Sequence, residues 1–167
     1  LRALLPQGGH VLYLQGPADT AVARERLDGT QAAIAGAGID LKVLVSSDWT
    51  EETGEKTISA WLRLKSTEGY QLAAVCAQND SLAVGARRAI ESQRTEWSQV
   101  PYTGCDGLPE GGQKLVRTGR LTATIVTPPP AGHAVTLVAR ALAGERVPGI
   151  VRLTPCSHPP EGQIARR

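Results

Sequence analysis

The chain lacks methionine and phenylalanine altogether, and no apolar run approaches the roughly 20 residues that span a bilayer. It also lacks a basic cluster: 18 basic and 16 acidic residues are spread along 167 positions, for a net charge of +2. That balance gives no sign of a nucleic-acid-binding surface. With 41% hydrophobic residues the composition is that of an ordinary globular protein, and the length suits one domain better than two.

The signatures of common enzyme classes are missing as well. The chain has no GxxxxGK[ST] phosphate loop and no GxSxG nucleophile elbow, and Gly36-Ala37-Gly38 falls at a predicted helix end rather than after a strand. None of His10, His133 and His158 has an obvious nucleophile or metal ligand near it in sequence. We therefore predict a protein that is not an enzyme and has no cofactor or metal site.

The chain has three cysteines, Cys76, Cys105 and Cys156. Three are too few for a disulfide framework, and an odd number cannot all pair within the chain. They also lack the spacing of zinc ligands. For Cys76 and Cys105 the favoured interpretation is burial as small apolar side chains. A disulfide between these two stays open if their strands are neighbours, and it would favour an oxidising compartment.

The first nine residues have no initiator methionine, no basic segment and no cleavage site. They are typical of the last turns of a helix that a glycine stops. Together with the absence of methionine, this start indicates a piece of a longer protein. We expect residues 1–9 to be the end of a helix or linker, with any export signal upstream.

Short apolar runs alternate along the chain with segments of helical period, which predicts β-strands joined by α-helices. The predicted strands are residues 11–15, 41–45, 72–77, 101–105 and 121–126, with an edge-like sixth at 150–153. Helices are expected from caps near residues 20, 50 and 80, from Pro109 to Gly119, and over 131–144. The alternation predicts an α/β fold, a three-layer αβα sandwich with a mostly parallel sheet of five or six strands over 10–155. Residues 156–167 are expected to form a loose tail.

Polar side chains follow each predicted strand, where ligands bind in sheets of this kind. Arg24 lies one turn into the first helix, and Trp49, Asn79, Asp106 and Thr127 follow strands two to five. Guanidinium, carboxamide and carboxylate groups can each make paired hydrogen bonds to neighbouring hydroxyls, and an indole can stack on the C–H face of a sugar ring. The set predicts a rim that binds a small polyhydroxylated ligand.

Each rim residue also has a structural interpretation. Asp106-Gly107 is a common turn dipeptide, Arg24 suits a solvated helix face, and Trp49 suits a cover for the core. Asp80 is expected to cap the third helix, which leaves Asn79 for the ligand. Convergence of these side chains on one edge favours binding over the separate alternatives.

Four segments in order resemble the C-terminal lobe of ribose-type periplasmic binding proteins: residues 14–29, 77–86, 104–111 and 119–125. They are similar to the type I solute-binding superfamily, which also includes the effector domains of LacI-type repressors. The resemblance implies sugar contacts from Arg24, Trp49, Asn79 and Asp106. Thr127 stands where the family often has glutamine, and the strand-end cysteines stand where it tends to have phenylalanine.

The resemblance further implies a sugar-binding component of an ABC transporter, periplasmic or extracytoplasmic, that closes two lobes around its ligand and delivers it to a permease. Alternatives are the effector domain of a cytoplasmic LacI-type regulator, a sensor-kinase ectodomain and a flavodoxin-like enzyme. The helix over 131–144 would normally pack on the other lobe. We expect it either to fold onto its own lobe or to mediate self-association.

Overall fold

Six β-strands and five α-helices alternate along residues 1–164, the part of the chain that the computed structural model describes. The strands are β1 (Gly9–Gln15), β2 (Ile39–Val45), β3 (Leu72–Ala77), β4 (Tyr102–Asp106), β5 (Ala123–Val126) and β6 (Cys156–His158). The helices are α1 (Ala21–Ile34), α2 (Glu51–Leu62), α3 (Asp80–Gln93), α4 (Gly112–Arg117) and α5 (Pro130–Leu142).

The strands form one sheet in the order β2-β1-β3-β4-β5-β6, parallel throughout except for β6, which runs antiparallel to β5. Alternate residues of β1 point to opposite faces. Leu12 and Leu14 join a core that includes Ile58 of α2 and Leu82 of α3. On the other face, the Tyr13 hydroxyl is hydrogen-bonded to Thr30 of α1. Helices therefore cover both faces, and the predicted αβα sandwich with a mostly parallel sheet is confirmed.

The last strand differs from the prediction. Ile150–Leu153 forms no strand; Ile150 and Val151 are exposed, and the edge of β5 pairs instead with Cys156–His158. An apolar run resembles a strand in sequence, but pairing depends on which segment reaches the open edge of β5. Part of the predicted loose tail is thus ordered, since a 3₁₀ turn at Glu161–Gln163 follows β6. Residues 165–167 of that tail lie outside the described residues.

The start of the chain makes one hydrogen-bonded turn from Leu1 to Leu5, and β1 begins at Gly9. The neighbouring Gly8 has φ +78°, and a Cβ there would lie 2.3 Å from the Gly38 carbonyl oxygen. This glycine allows a close backbone approach next to the sheet. That residues 1–9 are the end of a helix or linker stays a prediction.

Helices α2 and α3 cross with their backbones in near contact. A Cβ on Gly54 would lie 2.7 Å from the Leu82 carbonyl oxygen, and one on Gly85 only 2.0 Å from the Glu51 carbonyl oxygen. Arg88 adds ion pairs to Glu51 and Glu55 at the edge of this contact. The crossing matters for the site because α2 begins shortly after β2 and α3 shortly after β3, at the strand ends that carry polar residues.

Helix α5 has no buried residue, and Val135, Val138 and Leu142 are 70%, 59% and 84% exposed. The expectation that this helix folds onto its own lobe is therefore wrong, because none of its side chains is buried against the sheet. Self-association through it stays a prediction. Across residues 1–164, no helix combines the length and apolar character that crossing a membrane requires.

Candidate functional site

The carboxyl ends of β1 and β3 are tied together by Gln78, a buried residue directly after β3. Its Oε1 accepts a hydrogen bond from the Gly16 N–H (3.0 Å), and its Nε2 donates to the Ala23 carbonyl (2.8 Å) and the Tyr13 hydroxyl (3.1 Å). Buried polar groups with all partners satisfied give a rigid local geometry. The loop after β1 and the first turn of α1 are thereby held against the end of β3.

Arg26 of α1 is the cation that crosses this edge of the sheet. Its Nη2 donates to Asp106 Oδ1 at 3.0 Å, its Nη1 donates to the Gln78 carbonyl, and its guanidinium lies 5.7 Å from the centre of the Trp49 ring. The Arg26 and Asp106 side chains are 27% and 43% exposed. An arginine, a carboxylate and an indole from three separate elements therefore meet on an accessible surface.

Arg24, the arginine that the sequence suggested, is not part of this group. It is exposed, and its Nη1 donates to the carbonyls of Ala18 (3.3 Å) and Asp19 (2.8 Å). Residues two apart on a helix point about 200° apart, and Arg26 is the one whose guanidinium reaches Asp106. Arg26 lies three positions after the buried Ala23, and that helical spacing was the signal that sequence reasoning missed.

Trp49 follows β2 and lies flat against the backbone at Gly16. A Cβ on Gly16 would be 2.4 Å from the Trp49 Cη2 atom, so the close approach requires glycine. The indole is half-buried and packs against the hydrophobic core. The indole therefore covers the core, as one interpretation expected, and its ring also stands beside Arg26. A sugar contact from Trp49 stays a prediction.

Asn79, not Asp80, is the N-cap of α3. Its Oδ1 accepts from the Leu82 N–H (2.8 Å), and its Nδ2 donates to the Trp49 carbonyl (2.8 Å). The expectation that Asp80 caps the helix is wrong, since a cap needs extended backbone and Asn79 has it (φ −144°, ψ 170°). The carboxamide of Asn79 keeps one N–H and one lone pair for a further partner.

Within residues 1–164, Asp106 at the end of β4 is the one non-glycine residue that has a positive φ (100°). Such a backbone costs about 1–3 kcal/mol and persists where surrounding contacts hold it, often at binding sites. Here the Asp106 carbonyl accepts from the N–H (3.2 Å) and hydroxyl (3.3 Å) of Thr127. Thr127, predicted as a ligand contact, therefore lies on the rim and supports Asp106.

Asp80 is a further polar residue of this region that sequence reasoning assigned only to a helix cap. It is buried, and its carboxylate accepts hydrogen bonds from the Thr124 hydroxyl and the Gly107 N–H. Burial raises the pKa of Asp80, against the opposing effect of these two hydrogen bonds.

The cysteines are free thiols, and the disulfide left open by the sequence is not formed although β3 and β4 are neighbours. Burial raises the pKa of Cys76 and of Cys105, which keeps both thiols protonated and poorly nucleophilic. In the described part of the chain, no three His, Cys, Asp or Glu side chains are grouped so that they could hold a metal ion.

Residues 1–146 match the family model described as "Periplasmic binding protein domain". This chain belongs to the periplasmic binding proteins. The "Ribose import binding protein RbsB" of Salmonella typhimurium is 34% identical over 143 residues, which cover 84% of this chain and 46% of that protein. The resemblance drawn from four short motifs is confirmed, and the chain spans about half the length of this relative.

Solved structures agree with the fold. The fructose-binding periplasmic domain of a hybrid two-component system superposes with a TM-score of 0.79 at 26% identity, covering 93% of this chain and 51% of the other. A solute-binding protein of an ABC transporter from Actinobacillus succinogenes, with bound D-allose, superposes with a TM-score of 0.80 at 22% identity, over 93% and 55% of the two chains. The second likeness shows the fold alone.

Proposed function

We propose that this chain is the sugar-binding C-terminal lobe of a periplasmic solute-binding protein, a receptor and not an enzyme. The observation that carries the proposal is the meeting of Arg26, Asp106 and Trp49 at the carboxyl ends of the strands. Family membership and the names of two relatives, which bind ribose and fructose, support a sugar as the ligand.

The geometry suits neighbouring hydroxyls. Arg26 offers N–H donors and Asp106 offers carboxylate acceptors 3.0 Å away. A hydroxyl is donor and acceptor at once, so a pair of adjacent sugar hydroxyls can replace the direct ion pair without leaving either charge unsatisfied. Trp49 supplies an apolar face for the ring C–H groups. Arg26 takes the place of Arg24 in the proposed contact set, and Asn79 and Thr127 remain in it.

The proposed site is one wall of a cleft. The Arg26 and Asp106 side chains stay partly exposed to solvent, and a single wall does not exclude water from a bound sugar. We propose that a second lobe supplies the opposite wall and that the two lobes close by a hinge motion. The protein is then periplasmic or extracytoplasmic, and its closed form is recognised by the membrane permease of an ABC transporter. The isolated chain then binds sugars weakly.

Titration of the ¹⁵N-labelled chain with D-ribose, D-allose, D-fructose and myo-inositol tests this function. NMR detects millimolar binding, which suits a single wall. We expect at least one sugar to shift the Arg26 side-chain, Trp49 indole and Asp106 backbone signals together, with dissociation constants in the millimolar range. Absence of shifts with every sugar, or shifts confined to other surfaces, contradicts the proposal. Tight binding by this chain alone contradicts the two-wall account.

A sensor ectodomain is the second candidate, because the structural neighbour that is 26% identical belongs to a two-component system. Uptake of labelled sugar separates the two functions. Deleting the gene abolishes uptake if the protein serves a transporter. If it serves a sensor, uptake persists when the transporter is expressed from a constitutive promoter. The effector domain of a LacI-type regulator stays a further prediction.

A further inference from the structure

Asp80 is a buried acidic residue at the rim that the proposed sugar contacts do not use. It is 8% exposed. Its Oδ1 accepts from the Thr124 hydroxyl at 2.6 Å, and its Oδ2 accepts from the Gly107 N–H at 2.9 Å. Thr124 lies in β5 and Gly107 follows β4, so one carboxylate at the start of α3 links β5 to the turn after β4.

The surrounding backbone leaves room for this carboxylate. A Cβ on Gly104 would lie 2.3 Å from Asp80 Oδ1, and a Cβ on Gly112 would lie 2.1 Å from Oδ2. Both separations are far shorter than a van der Waals contact. Asp80 can therefore occupy its position only because Gly104 and Gly112 have no side chain. Neither glycine has a positive φ, which leaves close packing on Asp80 as the structural reason for them.

The peptide unit between Asp106 and Gly107 is held at both of its polar ends. Its N–H donates to Asp80, and its carbonyl accepts from the N–H and the hydroxyl of Thr127. The residues on either side have φ +100° and +60°. Fixing this peptide fixes the direction in which the Asp106 side chain leaves the backbone, and that direction leads to Arg26.

We propose that Asp80 is a positioning residue of the sugar site, which holds the Asp106–Gly107 peptide so that the Asp106 carboxylate stands ready beside Arg26. That the ligand is a sugar rests on the proposed function, whereas the hydrogen bond from Gly107 to Asp80 is independent of it. A contact group held in place before binding loses less conformational freedom when the ligand arrives, which raises affinity.

The hydrogen bond to Gly107 survives a change of charge on Asp80. Burial raises the pKa of Asp80 and the neighbouring Asp106 adds to this, while Thr124, Gly107 and Arg26 lower it. A protonated Asp80 can donate to the Thr124 hydroxyl and still accept from Gly107. An asparagine can do the same, with its amide N–H toward Thr124 and its oxygen toward Gly107. Asp80→Asn is therefore the conservative variant, and Asp80→Ala removes the acceptor.

The Gly107 amide signal reports the arrangement without any sugar. In ¹⁵N–¹H spectra of the 167-residue chain, we expect its proton shift to follow the ionisation of Asp80 as the pH falls. The shift should stay near the wild-type position in Asp80→Asn, with the pH response lost, and move upfield in Asp80→Ala. Thr124→Val is the matched control, because it removes the other hydrogen bond to the same carboxylate and should leave Gly107 in place.

Titration of the same four proteins with D-ribose gives the functional result. We expect Asp80→Ala to weaken binding by about tenfold or more, and Asp80→Asn and Thr124→Val to stay within about threefold of wild type. Equal binding by Asp80→Ala and wild type overturns the proposal, as does equal weakening by all three variants or a Gly107 signal that ignores Asp80. If Asp80→Ala does not fold, the Gly107 signals of the other two variants decide. If the wild type does not bind D-ribose, the titrations are repeated with D-allose, D-fructose and myo-inositol. Absence of binding to all four sugars means that the proposed function fails, and the Gly107 shifts still decide the positioning role.

Discussion

Replacing Arg26 by alanine tests whether the structure has identified the correct arginine, because Arg24 two residues earlier provides a matched control. Arg26 donates to the Asp106 carboxylate and to the Gln78 carbonyl. Arg24 donates to two carbonyls of its own loop and is exposed. The two substitutions remove the same side chain from the same helix, so helix propensity cancels between them.

The expected magnitudes follow from exposure. A hydrogen bond to a charged group contributes about 1.5–3 kcal/mol when it is buried. The Asp106 side chain is 43% exposed, so solvent screening brings the contribution of its pair with Arg26 toward about 1 kcal/mol. We expect Arg26→Ala to lower the free energy of unfolding by about 1–2 kcal/mol, and Arg24→Ala to change it by about 0.5 kcal/mol or less.

Urea denaturation followed by tryptophan fluorescence measures both variants, with unchanged m-values as the check that the folded state is comparable. Sugar titration of the same proteins gives the second result. There we expect Arg26→Ala to lose about tenfold or more in affinity and Arg24→Ala to bind like the wild type. An Arg24→Ala variant that loses as much stability or affinity as Arg26→Ala refutes the assignment of Arg26.

Three further predictions concern packing, pH and assembly. Gly85→Ala places a methyl group 2.0 Å from the Glu51 carbonyl oxygen and should lower the free energy of unfolding, measured in urea, by about 1–3 kcal/mol. Gly29→Ala, with open space around it, should raise that free energy by about 0.5–1 kcal/mol. Equal changes in the two variants would contradict the close crossing of α2 and α3. Because the pKa of Asp80 is raised in the folded state, its contribution to stability is present below the unfolded value and is lost as the pH rises through the folded value. Wild type should therefore gain stability relative to Asp80→Asn as the pH falls from 7 toward 4, and a flat or opposite difference in melts would count against this. If α5 mediates self-association, Val138→Glu should lower the mass measured by sedimentation at high concentration, and the control Arg140→Glu should not. Identical sedimentation of both variants and the wild type would exclude α5 as the contact.

The fold followed from the sequence because buried parallel strands leave a strong pattern. The apolar runs at β1 and β3 and the helical periods between them predicted the layers directly. The prediction failed where pairing partners decide the outcome. Ile150–Leu153 has the composition of a strand but lies exposed, and the polar Cys156–His158 takes the edge of β5.

For the candidate site, the sequence predicted which side chains lie at one edge of the sheet, except for the arginine. Trp49, Asn79, Asp106 and Thr127 lie there as predicted from their places after the strands. Whether Arg24 or Arg26 faces the rim depends on the rotation of α1, which the positions of polar residues alone do not determine. Asn79 caps α3 through a local hydrogen bond from the Leu82 N–H. Asp80 instead accepts tertiary hydrogen bonds from Thr124 and Gly107, which no local pattern reveals.

A sugar that binds against Trp49, between Arg26 and Asp106, places its ring C–H protons close to the indole. Isotope-filtered NOE spectra of the labelled chain with unlabelled D-ribose detect that contact. We expect NOEs from the ring C–H protons of the sugar to the indole protons of Trp49. The chain contains a second aromatic surface, a cluster of Trp61, Tyr70 and Trp97 next to His10 at the opposite end of the strands. NOEs to that cluster, with none to Trp49, would show that the sugar binds elsewhere.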